Sequence, residues 1–179
     1  MTRRLISSAL LSLIFAATAA LADPLTDALS AIDAGKHKQG AQMLTPLASG
    51  GNQTAQYRLG LLYYYGKGVK EDEKQAVDLW RKAAAQGHVD SMFQLGSAFL
   101  LGSQTEKMVD DPDYEAATWY IQAANAGHAE AQYHLGLLFM AGKGVIKDYQ
   151  QATYWLQKAA AQGHAEAKKA VGSIGAASK

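Results

Sequence analysis

Three histidines, His88, His128 and His164, each follow a glycine and recur at steps of 40 and 36 residues. Imidazole nitrogens bind zinc at about 2 Å from a single ion. Steps this long put the three on successive helix pairs, and packed helices lie about 8–10 Å apart. One ion cannot collect them, so they read as structural turn residues, with no metal site implied. His37 and His134 have no ligand pattern around them. Asp110, Asp111, Asp113 and Glu115 form the dense acidic cluster of the chain. An EF-hand loop counted from Asp111 needs Gly at its sixth place and Glu at its twelfth, and finds Ala116 and Gln122. Acids at a helix N-terminus, where the dipole favours them, account for the cluster. Gly66-Lys67-Gly68 and Gly142-Lys143-Gly144 lack the Gly-Lys-Ser/Thr order and the strand-to-helix setting of a phosphate loop. The chain contains no Ser-x-x-Lys, Gly-x-Ser-x-Gly or His-Glu-x-x-His. No nucleophile, acid–base pair or cofactor cradle emerges, and the chain reads as non-enzymatic.

The histidines belong to a longer pattern. Ala55–Asp90 and Ala131–Glu166 are identical at 21 of 36 positions, with a stretched copy, Ser91–Glu130, between them. Leu59-Gly60, Leu95-Gly96, Leu135-Gly136 and Val171-Gly172 step by the same intervals as Asn52 and the three histidines. Two independent markers on one ladder mean a stack of like units. Each unit divides into helix A (about 55–65, 91–101 and 131–141) and helix B (about 72–86, 112–126 and 148–162). Ala55, Leu59, Leu62 and Tyr63 share one face of the first helix A. Gly60, Gly96 and Gly136 lie mid-helix, where glycine costs roughly 1 kcal/mol against alanine, which points to close helix approach. Asp72, Asp111-Pro112 and Asp148 are helix B starts, and Gly87, Gly127 and Gly163 are stops. Trp80, Trp119, Tyr120 and Trp155 supply bulk.

The leader and the ends complete the organisation. Residues 1–22 read as a signal peptide: Arg3-Arg4, an apolar run from Leu5 to Ala17, and an Ala20-Leu21-Ala22 cleavage box. The apolar run is too short to span a bilayer, and the product is expected to begin at Asp23 in the periplasm or outside the cell. Without the leader's two arginines the chain carries 15 Lys and Arg against 16 Asp and Glu, so no basic field exists for nucleic acid. Cys is absent, which removes disulfides. Residues 23–52 read as a degenerate helix pair, with a kink or late start expected at Pro46. Residues 53–174 hold the repeats (55–90, 91–130 and 131–166) and a capping helix from Glu166 to about Ile174. The tail, 175–179, is expected to fray.

At Leu-Gly, Gly-Lys-Gly-Val, the Trp-bearing helix B, Lys-Ala-Ala and Gln-Gly-His, the chain resembles the Sel-one-like repeat family, a branch of the tetratricopeptide-like solenoids. The resemblance implies an all-α, right-handed superhelical solenoid of antiparallel helix pairs. It also implies an adaptor that binds a protein or peptide of the cell envelope through the concave helix A face. Within that face, positions that drift between copies are the expected contact residues: Arg58, Leu61 and Tyr65; Gln94, Ser97 and Leu101; His134, Leu137 and Ala141. Two other readings remain: an envelope hydrolase acting on peptidoglycan or β-lactams, and a spacer that self-associates.

Overall fold

The computed structural model describes residues 23–102 and 105–177. The expected signal peptide lies outside them. Among the described residues there are nine α-helices and no strand. They are α1 (Pro24–Asp33), α2 (His37–Ser49), α3 (Gln53–Tyr64), α4 (Glu73–Ala84), α5 (Val89–Leu101), α6 (Pro112–Asn125), α7 (Ala129–Ala141), α8 (Tyr149–Ala161) and α9 (Ala165–Ala177). The extensive contacts run between elements consecutive in the chain. The result is the all-helical solenoid that the repeat predicts.

Helix A begins two residues earlier than its apolar period suggests, because the capping residue is the histidine or asparagine at each junction. Asn52 caps α3 by accepting from the Ala55 N–H at 2.9 Å. Helix B starts where expected: Asp72, Asp111 and Asp148 accept from the N–H groups of Gln75, Tyr114 and Gln151. At the N-terminal end α2 spans His37–Ser49 with Pro46 inside it, so the helix does not start late at the proline. Pro46 has no N–H for the Gln42 carbonyl, and Gln42 is exposed. α9 continues past Ile174 to Ala177, carried by strong helix-forming alanines.

Gly60, Gly96 and Gly136 each face a large side chain of helix B. A Cβ on Gly60 would stand 2.4 Å from Nε1 of Trp80. On Gly96 it would stand 2.7 Å from Tyr120, and on Gly136 2.7 Å from Leu156. Helix pairs therefore lock by a ring or branched side chain filling the place of a missing methyl group. Trp80, Tyr120 and Leu156 are completely buried. The turns after helix A seat on the preceding unit: Gly68 lies against the backbone of His37 and Lys38, and Gly144 against that of Asp113 and Tyr114. Both take positive φ, +73° and +63°, a conformation other residues rarely adopt. In the stretched copy a 3-10 turn, Thr105–Lys107, stands in this place. Thr105 is buried and donates its hydroxyl to the Ala98 carbonyl.

Candidate functional site

The junction histidines do structural work. Nδ1 of His88, His128 and His164 accepts the N–H of Ser91, Ala131 and Ala167, each at 3.2 Å. This fixes the tautomer: the proton sits on Nε2. Nε2 of His164 donates to Glu130 at 2.9 Å, and Nε2 of His128 lies 3.5 Å from Asp90. Each imidazole also rests on an aromatic ring of the helix A before it. Tyr57 meets His88 at 4.8 Å between centroids, Phe93 meets His128 at 4.6 Å, and Tyr133 meets His164 at 4.5 Å. The sequence carries this signal, since Tyr57, Phe93 and Tyr133 step in register with the histidines, but only the folded chain shows the contact. Burial holds His88 and His128 below the ordinary histidine value, against the opposing pull of Asp90. Among the described residues no group of three or more His, Asp or Glu is placed to hold a metal ion.

A second recurring contact is likewise visible only in the fold. Gln86 donates from Nε2 to Oε1 of Gln56 at 2.9 Å, and Gln56 donates to the Ala48 carbonyl at 3.0 Å. Gln162 and Gln132 repeat the arrangement at 2.7 Å, with Gln132 donating to the Ala124 carbonyl at 3.1 Å. In the stretched copy the two places hold Met92 and Ala126, so both partners are replaced together.

The drifting helix A positions take three different environments. In the second copy Gln94 is half-buried, Ser97 pairs with the Tyr120 hydroxyl at 3.1 Å, and Leu101 is exposed. Burial pushes that Tyr120 hydroxyl up to about 12. In the third copy His134 stacks on Tyr120 at 5.3 Å and approaches Phe93 at 6.0 Å, while Leu137 is half-buried and Ala141 exposed. Burial lowers the His134 pKa, and Glu130 opposes it. Ser97 and His134 thus vary because their neighbours vary.

In the first copy the same positions open a cavity. Arg58 and Leu61 of α3 and Tyr65 just past its end line a space of about 180 Å³ together with Ile32, His37, Leu62 and Lys67. The ring that His134 stacks on, Tyr120, has Trp80 and then Leu44 as its counterparts in the two earlier units. The smallest of the three therefore stands in the unit that precedes Arg58. Arg58 is exposed and its guanidinium lies 5.9 Å from the Tyr57 ring centroid; the Lys67 ammonium lies 5.6 Å from that of Tyr65.

Residues 53–88, 89–128 and 129–164 each match the Sel1 repeat. These units cover well over half of the chain, which therefore belongs to the Sel1 repeat family; each begins at the first residue of helix A and ends on the junction histidine. Among solved structures it is similar to a Sel1 repeat protein from Oxalobacter formigenes, at 35% identity and a TM-score of 0.64 over 73% of this chain and 95% of that one. It is also similar to c5321, described as a protective antigen of uropathogenic Escherichia coli with an SLR fold. That likeness has 33% identity and a TM-score of 0.68, over 77% of this chain and 29% of that one. A stretch of 70 residues is 34% identical to the ERAD-associated E3 ubiquitin-protein ligase component HRD3A of Arabidopsis thaliana, spanning 38% of this chain but a tenth of that protein. Proteins of Sel1 repeats are generally non-catalytic scaffolds for protein interaction, and the match is not to an enzymatic family.

Proposed function

We propose that this chain is an exported scaffold of the cell envelope that holds a protein or peptide partner on the concave helix A face. The leader-like residues 1–22 support the address: a basic start, an apolar run and a small-residue box. No helix among the described residues is long and apolar enough to cross a membrane. The binding reading rests chiefly on the cavity at Arg58, Leu61 and Tyr65. There the drifting positions meet open space, and arginine and tyrosine are side chains that dominate binding hot spots. Farther along the face, Leu101 and Leu137 add apolar contact area beside Gln94, Ser97 and His134.

The test is quantitative capture from envelope extract. Arg58→Ala with Tyr65→Ala should weaken capture by about 2 kcal/mol or more while leaving the melt nearly unchanged, since both residues are exposed. Lys82→Ala with Gln122→Ala, exposed on helices B, is the control. Equal capture by the two double variants would move the partner off helix A.

A further inference from the structure

We infer that the cavity between α1, α2 and α3 is a specificity pocket for an acidic residue of the partner, taken together with an apolar side chain next to it. This deepens the peptide-binding reading above and rests on it. At about 180 Å³ the space is smaller than the roughly 300–1,000 Å³ of sites that enclose a whole small-molecule ligand. It accommodates part of a larger molecule: one or two side chains of a polypeptide. Its wall is apolar on one side, where Ile32, Leu61 and buried Leu62 meet.

The charge is one-sided. Arg58 and Lys67 both line the cavity and no carboxylate does. The ion pairs among the described residues run through His128, His134, Lys143 and His164, and neither Arg58 nor Lys67 forms one there. Both instead lie near tyrosine rings, contacts that leave their N–H donors available. Two cations over an apolar wall are complementary to a carboxylate beside a hydrocarbon side chain, and a guanidinium binds a carboxylate through two parallel hydrogen bonds.

His37 also lines the cavity, and its Nδ1 is buried without a hydrogen-bond partner among the described residues. His37 is also the first residue of α2, which has no capping side chain. The dipole at that end favours negative charge.

The experiment is selection of a displayed library of random short peptides on the chain from Asp23 to Lys179, followed by titration of the recovered peptides. Enrichment of Asp or Glu next to Leu, Ile or Phe is expected. Arg58→Gln with Lys67→Gln should lower the affinity of those peptides roughly thirtyfold or more, and added salt should weaken wild-type binding. Arg58→Glu with Lys67→Glu should turn the preference toward basic peptides. Circular dichroism melts of both variants should match wild type, as exposed side chains are changed. Peptides that bind without an acidic residue, or that bind the Gln variant equally well, overturn this inference and leave peptide binding standing. Failure to enrich any peptide overturns both.

Discussion

The amide of Gln86 reaches back across 30 residues to the carbonyl oxygen of Gln56, 2.9 Å away, and so ties the end of one helix pair to its beginning. Gln56 is 3% exposed and passes the connection on to the backbone of α2. Removing Gln86 strands the buried amide oxygen of Gln56, whereas Gln86 itself is exposed. Gln86→Ala alone should destabilise by about 1–3 kcal/mol, the penalty of an unmatched buried polar group. Gln56→Met with Gln86→Ala installs the solution of the stretched repeat, Met92 with Ala126. That double variant should lose less than the sum of its parts, a coupling that denaturant titration of the four proteins measures.

Acid should loosen the stack through its junctions. Burial keeps His88, His128 and His134 below their ordinary value, so the unfolded chain binds protons more readily than the folded one. Well above the unfolded value of about 6.5 both forms are neutral and stability is unaffected. As pH falls through that value stability is lost, and the loss levels off below the folded values. A proton on Nδ1 of His88 or His128 also ends its role as acceptor at the helix start. His128→Asn copies the cap that Asn52 already provides at the first junction, so it should keep the helix start and remove that residue's share of the acid sensitivity. Melting temperatures at neutral and mildly acidic pH, wild type against variant, read this directly.

Gly60→Ala should destabilise by about 1–3 kcal/mol through overpacking, despite alanine's better helix propensity, because the new methyl group meets Trp80 at 2.4 Å. Trp80→Ala empties a fully buried site and should lose about 3–5 kcal/mol. Thermal melts monitored by circular dichroism distinguish these from an exposed control such as Gln122→Ala, expected within about 0.5 kcal/mol.

Export with cleavage after Ala22 should release a chain that starts at Asp23. N-terminal sequencing of the secreted or periplasmic protein checks this; a retained Met1 refutes it. The new terminus would coincide with the cap of α1, since the Asp23 carboxylate accepts from Thr26 and from the Leu25 N–H. Those hydrogen bonds lower its pKa, led by the Thr26 hydroxyl. Asp23→Ala should therefore fray α1 without affecting the later repeats.

The repeat architecture was legible because its markers are backbone requirements. Gly60, Gly96 and Gly136 tolerate no methyl group, and the residues at 52, 88, 128 and 164 must accept an N–H, so both sets keep their spacing. The cavity was not legible, because it depends on side chains across units. Ile32, His37 and Arg58 belong to three different helices, and only the folded stack brings them around one space. The same limit applied to His134 and Ser97. Their variation along the chain looked like freedom, but Ser97 and His134 meet Tyr120, which sits on another helix. Pro46 does not delay the helix, since α2 begins at His37 and holds the proline in its last turn.

The seating of each turn on the unit before it bears on how such a gene can change length. Gly68 rests on the start of α2, and Gly144 on the start of α6, so a unit carries one surface for its predecessor and one for its successor. An in-frame duplication of one unit supplies both surfaces at once, and the new copy finds a matching neighbour on either side. The ten-residue stretch from Gly102 to Asp111 shows the complementary freedom, since extra residues there lengthen a turn without shifting the helices that follow. Copy number and turn length are then two dials that evolution can adjust separately, the first setting the reach of the molecule and the second the texture of its edge.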